Sequence, residues 1–395
     1  MNPARAIARS IWMLGFVSLF MDVSSELIHS LLPVFMVSSL GATALAVGVV
    51  EGIAESTALI VKVFSGAISD YLGRRKFLAV IGYGLGAASK PLFALALTVN
   101  WVLAARFIDR IGKGIRGAPR DALVADLAPA GIRGAAYGLR QALDTVGAFL
   151  GPLLGVLLML LWAGDFRKVF WYATIPAAIA VLLLVFGVKE PRSGSIARGP
   201  VASMQWKTLS DMGSAYWFVV AVGGVFTLAR FSEAFLILRA QQQGLADAYA
   251  PLVMVLMNVV YALVAYPMGR LADRMSRVTL LGAGLIALIV ADLVLALAQG
   301  LAAVALGVAL WGLHMGMTQG MLAAMVADTA PAHVRGTGFG FFNLASGVAM
   351  LIASVLAGLL WDTLGSAITF YAGALFAVAA LSMLMLGSRW RGLGC

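Results

Sequence analysis

Twelve ionisable residues interrupt the apolar stretches in the first half of this chain. They are Asp22, Glu26, His29, Glu51, Glu55, Lys62, Arg106, Asp109, Arg110, Lys113, Arg140 and Asp144. Acids and bases that share a low-dielectric setting form ion pairs, and an acid left without a base keeps its proton. These residue types therefore predict reversible proton binding inside a membrane.

The spacing of these residues places several of them on common helix faces. Asp22, Glu26 and His29 follow an i, i+4, i+7 pattern, and Glu51, Glu55 and Lys62 an i, i+4, i+11 pattern. Counting depth at about 1.5 Å per residue sorts the charges into layers. The middle layer holds more carboxylates than cations: Asp22, Glu55, Asp109 and Asp144 against Arg110 and Lys113. At least one acid there is expected to hold a proton near neutral pH, with Glu55 and Asp22 the leading candidates.

Two other interpretations of the same charges stay open. A static network of ion pairs would need no proton movement. Asp22, Glu26 and His29 could instead ligate a divalent metal, since carboxylate and imidazole suit Mn, Fe or Zn. The cations predicted on the neighbouring helix argue against a strong cation site, and we predict no bound metal and no cofactor.

The elements that position these residues are predicted to be transmembrane helices. Residues are 62% hydrophobic and only 12% charged, which indicates an integral membrane protein. A span needs about 20 mainly apolar residues. That rule predicts twelve helices, at about 11–33, 42–65, 77–98, 101–123, 135–160, 168–188, 213–238, 249–269, 278–299, 301–324, 336–360 and 366–387.

Internal repeats divide the chain into two halves. GAISDYLGRRK at 66–76 recurs 203 residues later as GRLADRMSR at 269–277, with Asp273 and Arg277 in register with Asp70 and Arg74. VADLAPAGIRG at 124–134 recurs 202 residues later as VADTAPAHVRG. We predict six-helix bundles over 1–188 and 213–395, joined by a polar cytoplasmic linker over 189–212.

Lysine and arginine placement orients the predicted helices. One side collects nearly all the loop cations, whereas the other has only Arg167, Lys168 and Arg239. The cation-rich side is expected to be cytoplasmic, with both termini there and the protein in the cell (inner) membrane. The net charge of +10 follows from this placement, so no nucleic-acid partner is expected.

These motifs resemble those of the major facilitator superfamily. GAISDYLGRRK is similar to its helix 2–3 loop signature, and GRLADRMSR to the weaker copy in the second half. Arg106 stands where the family has a membrane-embedded arginine. Five residues of predicted helix 5 resemble the motif of its antiporters, namely Gly138, Gly147, Gly151, Pro152 and Gly155. The resemblance implies two six-helix bundles that rock about a binding site at the membrane midplane. It also implies that helices 1, 2, 4 and 5 line the first half's side of the central cavity.

The repeated loops are predicted to act as gates. Their residues are Gly66, Asp70, Gly73, Arg74, Arg75, Gly269, Asp273 and Arg277. An Asp that pairs in one state and separates in another would serve as a latch, although the cations could simply anchor topology. Likewise, the helix 5 glycines could serve close helix packing alone.

The second half lacks most of the charges of the first. Asn258 replaces Glu55, Val308 replaces Arg106 and Ser346 replaces Asp144. Its candidate cavity residues are Arg230, Glu233, Asn258, Tyr261, His314 and Asn343. We predict that the first half titrates and the second offers a more apolar surface. Asp292 receives no role.

The function predicted from these features is proton-coupled transport by alternating access. We expect a monomeric exporter of a small molecule working by antiport, with protons and the lipid bilayer as its other partners. Proton symport of an anionic metabolite is the main alternative, and a metal or metal-chelate carrier a weaker one. A sensor or a lipid-handling scaffold is a further alternative, but the sequence predicts no extramembrane domain large enough for signalling. An enzyme is not expected, because no nucleophile–base pair, phosphate loop or zinc motif lies on a plausible helix.

Overall fold

The computed structural model describes residues 9–189, 212–272, 274–331 and 334–391. Its helices are α1 (Arg9–His29), α2 (Leu32–Val34), α3 (Ala44–Leu72), α4 (Arg75–Ala94), α5 (Val99–Leu127), α6 (Arg133–Leu161), α7 (Phe166–Leu182), α8 (Ser214–Ala229), α9 (Ala234–Gln242), α10 (Leu252–Ala272), α11 (Arg277–Leu297), α12 (Leu301–Thr318), α13 (Met321–Thr329), α14 (Arg335–Leu364) and α15 (Ser366–Arg391). The all-helical fold predicted from the sequence is confirmed.

The length of the apolar segments favours these helices, and polar side chains cap the N-termini of several of them. A backbone that crosses a bilayer must satisfy its own hydrogen bonds, which favours helices. Thr98 accepts a hydrogen bond from the backbone N–H of Trp101 at the start of α5. Asp165 does the same for Lys168 before α7, and Ser276 for Thr279 before α11.

Eleven helical segments of the described chain are long and apolar enough to cross a membrane. The predicted fourth span corresponds to α5, which has 29 residues but carries a dense set of charges. The twelve predicted positions therefore all coincide with helices. The predicted linker lies almost entirely outside the described residues, as do Asp273 and the side chain of Asp70.

The chain packs as two compact units. The first comprises residues 1–32 and 57–203, and the second residues 33–56 and 204–395. In the first unit, α4 packs along α5, and α1 packs along α6 and α7. Their shared core includes Leu14, Met21 and Tyr83, all fully buried.

The second unit includes the first half of α3, which packs on α14. A Cβ at Gly358 would lie 2.5 Å from the backbone oxygen of Ala44, so only glycine permits this approach. The Asp362 carboxylate accepts hydrogen bonds from the backbone N–H of Ala44 (3.0 Å) and of Leu45 (2.8 Å). Asp362 thereby caps α3 from α14.

Two spans of the second unit are broken at membrane depth. Residues 230–233 separate α8 from α9, and residues 319–320 separate α12 from α13. Gly320 adopts a left-handed φ of +73° at the second break. Irregular backbone at this depth is tolerated where protein or a cavity satisfies it, so such breaks often mark binding regions.

Candidate functional site: a buried charge network

Close packing of α4 on α5 brings the central charges of the first unit together. A Cβ at Gly112 on α5 would lie 2.6 Å from the backbone oxygen of Gly82 on α4. A Cβ at Gly82 would in turn meet the backbone of Arg116 at 2.7 Å. Because both positions are glycines, the helix backbones touch, and α4 side chains reach those of α5.

The centre of the network is an ion pair between Lys90 on α4 and Asp109 on α5. Lys90 Nζ lies 2.7 Å from Asp109 Oδ1, and the two side chains are 1% and 4% exposed. Lys90 also donates to Ser25 Oγ at 3.0 Å, and Ser89 Oγ donates to Asp109 at 3.3 Å. Arg110 Nε lies 3.8 Å from the other Asp109 oxygen.

Sequence reasoning missed Lys90, although a signal was present. A lysine within a membrane span is costly unless it is paired or functional. Lys90 is such a residue, sixteen positions into α4. Asp109 was predicted, but its partner was not.

A second layer contains Glu26 and His29 of α1. Glu26 Oε2 lies 3.3 Å from His29 Nδ1. Arg110 and Lys113 of α5 act electrostatically on the same carboxylate. The predicted common face of Glu26 and His29 is thus observed, and it faces cations of α5.

A third layer centres on two carboxyl groups. The carboxyl group of Asp22 on α1 lies beside that of Asp144 on α6, close enough for the two to interact. Arg120 Nη1 lies 3.8 Å and Arg140 Nη1 3.6 Å from Asp144. The same two arginines lie 3.2 Å and 3.8 Å from Asp121.

Three members of the network on α5 were absent from the sequence prediction: Arg116, Arg120 and Asp121. The signal was the spacing, because Arg106, Arg110 and Lys113 continue at helical intervals to Arg116 and Arg120. Arg116 is 4% exposed and stacks its guanidinium over the ring of Tyr83 at 4.9 Å.

Cations outnumber acids among the charges assembled in the first unit. The cations are Lys90, Arg106, Arg110, Lys113, Arg116, Arg120 and Arg140, and the acids are Asp22, Glu26, Asp109, Asp121 and Asp144. The predicted excess of carboxylates concerned the middle layer alone, and one of its four acids, Glu55, lies in the part of α3 that belongs to the second unit. The residues that the prediction missed are mostly basic.

The three residues predicted to share a face of α3 lie in different units. Glu51 is 1% exposed and Glu55 is half-buried, both within the second unit. Lys62 is exposed and belongs to the first unit, with its stem about 4 Å from the Cβ position of Gly117. The trio therefore does not form one cluster.

Four of the six predicted residues of the second unit lie around Arg230, at the break between α8 and α9. Arg230 interacts electrostatically with Glu233, Tyr261 and His314. Its guanidinium lies 5.8 Å from the ring centre of Phe226. The ring nitrogen Nδ1 of His314 lies 2.8 Å from the backbone oxygen of Gly284. The predicted residues Asn258 and Asn343 are half-buried on α10 and α14.

The repeated loops are held by repeated ion pairs. Arg75 Nη1 contacts Asp126 at 2.5 Å and the backbone oxygen of Ala122 at 3.3 Å. Arg277 Nη1 contacts Asp328 and the backbone oxygen of Ala324 in the same manner.

These pairs correct the register predicted for the loops. Arg277 corresponds to Arg75, at an offset of 202, because each is the first residue of its helix and binds the equivalent partners. Arg74 is exposed. The partners Asp126 and Asp328 belong to the second repeat motif, whose pairing role was not predicted. Gly66 makes ordinary contact with Ala118, and Gly269 has open space around its Cβ position.

The glycines of α6 divide into packed and open positions. A Cβ at Gly147 would lie 2.6 Å from the backbone oxygen of Leu19, and one at Gly151 would lie 2.7 Å from that of Val23. Both contacts are with α1. Pro152 and Gly155 are buried, whereas Gly138 is exposed with nothing within 4 Å.

The part of the chain that the structure describes contains no group of three or more His, Cys, Asp or Glu suited to a metal ion. The trio of Asp22, Glu26 and His29 is divided: Glu26 pairs with His29, whereas Asp22 pairs with Asp144. The donor set of the metal interpretation is therefore not assembled.

Comparison with known families decides the class of this arrangement. The model of the Major Facilitator Superfamily matches residues 14–257 and 230–391. The chain belongs to the major facilitator superfamily. Within this superfamily, an uncharacterised MFS-type transporter of Methanocaldococcus jannaschii is 31% identical over 390 residues, covering 96% of this chain and 95% of the relative.

Two further proteins are similar to this chain over part of the sequence or in fold. The multidrug resistance protein MdtH of Edwardsiella ictaluri is 29% identical over 203 residues, about half of each chain. A solved structure of a mutant of the nucleoside transporter NupG covers 95% of this chain with a TM-score of 0.79 at 13% identity. The protein is thus an integral membrane transporter of the superfamily, and its ligands are small molecules bound within the membrane.

Proposed function

We propose that this superfamily member is a proton-coupled transporter that exports a small organic molecule by antiport. The contact between Asp22 and Asp144 carries the proposal. Two carboxyl groups can share a hydrogen bond only when one of them holds a proton. The pair joins α1 to α6, so a proton bound there is held between two helices of the first unit.

Two arginines near this pair can compensate the charge that proton release would create. Arg120 and Arg140 both lie within 4 Å of Asp144. When the proton leaves, these guanidinium groups can neutralise the second carboxylate, so that its charge does not remain unpaired. A small shift of α1 against α6 would then exchange a shared proton for an ion pair, which is the elementary step of proton coupling.

Two arguments support export as the direction of transport: the name of a similar protein and the free energy of inward proton movement. The similar protein MdtH bears the name of a multidrug resistance protein, and it matches about half of this chain. Inward movement of one proton gains about 2.3 kcal/mol per 100 mV of membrane potential, which can drive export against a gradient. We place the protein in the inner membrane as a monomer, with both termini in the cytoplasm.

A specific observation favours a second candidate, the proton symport of an organic anion. The buried charge network of the first unit contains seven cations and five acids, and a proton held at Asp22 would add to the positive excess. Arg116 is the clearest donor in this excess: it is buried, its Nη1 has no hydrogen-bond partner, and its face rests on Tyr83. Such a guanidinium suits a carboxylate or phosphate of a substrate.

The test uses purified protein in liposomes with a trapped pH dye. Drugs, amino acids, organic acids and metal chelates are added in turn, and the proton flux that each causes is recorded. Antiport predicts that a substrate gradient moves protons in the opposite direction, while symport predicts movement in the same direction. Silence across the panel, with folded protein, contradicts proton-coupled transport of these classes.

Variants then assign the coupling residue. Asp22→Asn removes the shared proton, so it should abolish substrate-driven proton flux while leaving substrate exchange at equal pH intact. Glu55→Gln tests the other acid predicted from the sequence. The matched control is Asp165→Asn, which changes an exposed carboxylate outside the spans. Normal proton flux in Asp22→Asn would remove this residue from the coupling step.

A further inference from the structure

One carboxyl group in the second unit has no partner at all among the described residues. Asp292 on α11 is 0% exposed, and neither of its oxygens has a hydrogen-bond donor. The Cβ position of Gly373 on α15 lies 2.7 Å from Asp292 Oδ2 and 2.9 Å from the ring of Phe231. The carboxyl group thus faces a glycine and an aromatic ring.

The internal repeat identifies what should stand beside Asp292. At the offset of 202, which also relates Arg75 to Arg277, Asp292 corresponds to Lys90 and Trp311 to Asp109. In the first unit these positions form the buried ion pair. In the second unit they are a carboxyl and an indole. Trp311 is fully buried, its Nε1 has no acceptor, and its ring lies 5.5 Å from that of Phe231.

Among the residues that the structure describes, no cation on the elements around α11 is available to Asp292. Arg239 on α9 binds the C-terminal end of α11. Its five N–H groups are all used, by the backbone oxygens of Leu295, Ala296 and Ala298 and by Gln242 and Ser366.

The other titratable groups of the packed elements are also engaged or distant. His314 on α12 contacts the backbone of Gly284, two helical turns before Asp292. Arg230 lies in the range of Glu233 at the α8–α9 break. Arg277 binds Asp328 at the opposite end of α11 from Arg239, and Tyr371 on α15 is exposed. An ionised Asp292 would therefore be an uncompensated buried charge, which is strongly unfavourable.

We propose that Asp292 and Trp311 form a proton-binding site of the second unit, in which Asp292 holds a proton in this conformation and releases it during transport. Trp311 Nε1, which has no acceptor in this conformation, is the donor that would stabilise the carboxylate once the proton has left. A buried ionisable residue within a membrane span is costly, so an acid at position 292 points to a role in proton binding. The release step rests on the proposed proton coupling, whereas proton binding does not.

Infrared spectroscopy tests proton binding without any substrate. Wild-type protein and Asp292→Asn are reconstituted at pH 7, and their spectra are subtracted in the region of protonated carboxyl C=O stretching. We expect a band that is present in the wild type and lost in Asp292→Asn. Asp165→Asn is the matched control: the backbone N–H of Lys168 lowers the pKa of Asp165, so this exposed acid is ionised and its removal should leave the band unchanged. An unchanged band in Asp292→Asn would overturn the proposal.

Transport tests proton release once the liposome panel has identified a substrate. Asp292→Asn should retain substrate exchange at equal pH but lose proton-driven accumulation. Trp311→Phe should keep the infrared band and lose proton-driven accumulation as well, because the carboxylate loses its donor. Wild-type accumulation by Asp292→Asn would overturn proton release at this site. If the wild type moves no protons with any substrate, the proposed function fails while the infrared result still decides whether Asp292 binds a proton.

Discussion

Single side chains in this transporter differ in how their charge is balanced. Lys90 and Asp109 neutralise each other at 2.7 Å, Asp22 lies beside a second acid, Asp144, and Asp292 has no described partner. We interpret them as three solutions to the cost of a charge in a low-dielectric interior: an ion pair, a proposed shared proton and a proposed neutral acid. The last two require a proton, which is why both are proposed as proton sites.

The buried pair gives a residue-scale prediction about stability. Lys90→Met leaves Asp109 buried without its closest cation, and we expect the free energy of unfolding to fall by about 3–5 kcal/mol. The double variant Lys90→Met/Asp109→Leu should recover part of that loss, because no charge is then left unpaired. Denaturant titration in mixed micelles measures both.

The control for this prediction is the exposed pair of Asp165 and Lys168, which lies 3.3 Å apart with side chains 38% and 58% exposed. Asp165→Asn should change the unfolding free energy by less than about 1 kcal/mol. A Lys90→Met loss no larger than that of Asp165→Asn would show that the buried pair does not stabilise the fold.

At the scale of helices, glycine positions determine which side chains meet. Gly82 and Gly112 let α4 touch α5, and Gly147 and Gly151 let α1 touch α6. The first contact brings Lys90 to Asp109, and the second brings Asp22 to Asp144. Helix association in membranes depends on such close packing, since lipid provides no hydrophobic drive between helices.

Gly151 therefore gives an element-scale prediction. In Gly151→Ala the new Cβ would lie 2.7 Å from the backbone oxygen of Val23 and 2.9 Å from Cβ of Glu26. We expect α1 and α6 to separate slightly, at a cost of about 1–3 kcal/mol in unfolding free energy, and proton coupling to weaken.

The same helix supplies the matched substitution for Gly151→Ala. Gly138→Ala meets nothing within 4 Å, so it should be neutral or stabilise the helix by up to about 1 kcal/mol. Equal effects of the two substitutions on stability and on proton flux would show that the α1–α6 contact is not sensitive to one methyl group.

For the molecule as a whole, the two halves of the sequence repeat a plan with different chemistry. The loop pairs Arg75–Asp126 and Arg277–Asp328 are retained in both halves. The buried pair of the first unit is replaced by Asp292 and Trp311 in the second. A mechanism that couples both units through protons would use one shared-proton site and one neutral-acid site.

Orientation in the membrane gives a whole-molecule prediction. The sequence has a single cysteine, Cys395, and the placement of Lys and Arg predicts that residue 395 lies on the cytoplasmic side. A membrane-impermeant maleimide should label Cys395 in permeabilised cells and not in intact cells.

The control for labelling is Gly164→Cys in a Cys395→Ser background. Gly164 lies between α6 and α7, on the side predicted to be external. That variant should react in intact cells. Labelling of Cys395 from outside intact cells would reverse the proposed orientation.

The sequence by itself determined the helical membrane fold, the two repeats and the superfamily motifs. These follow from chain-local properties, because a run of about 20 apolar residues must become a helix to satisfy its backbone in lipid. It also placed Asp22, Glu26, Asp109 and Asp144 in the membrane.

Only the tertiary structure decided which charges meet. Lys90 finds Asp109 across two helices, Asp126 finds Arg75 across 51 positions, and Glu51 and Glu55 join the second unit instead of the first. Such pairings depend on how each helix is rotated and how closely its neighbour approaches, which glycine contacts between helices set and spacing within one helix does not.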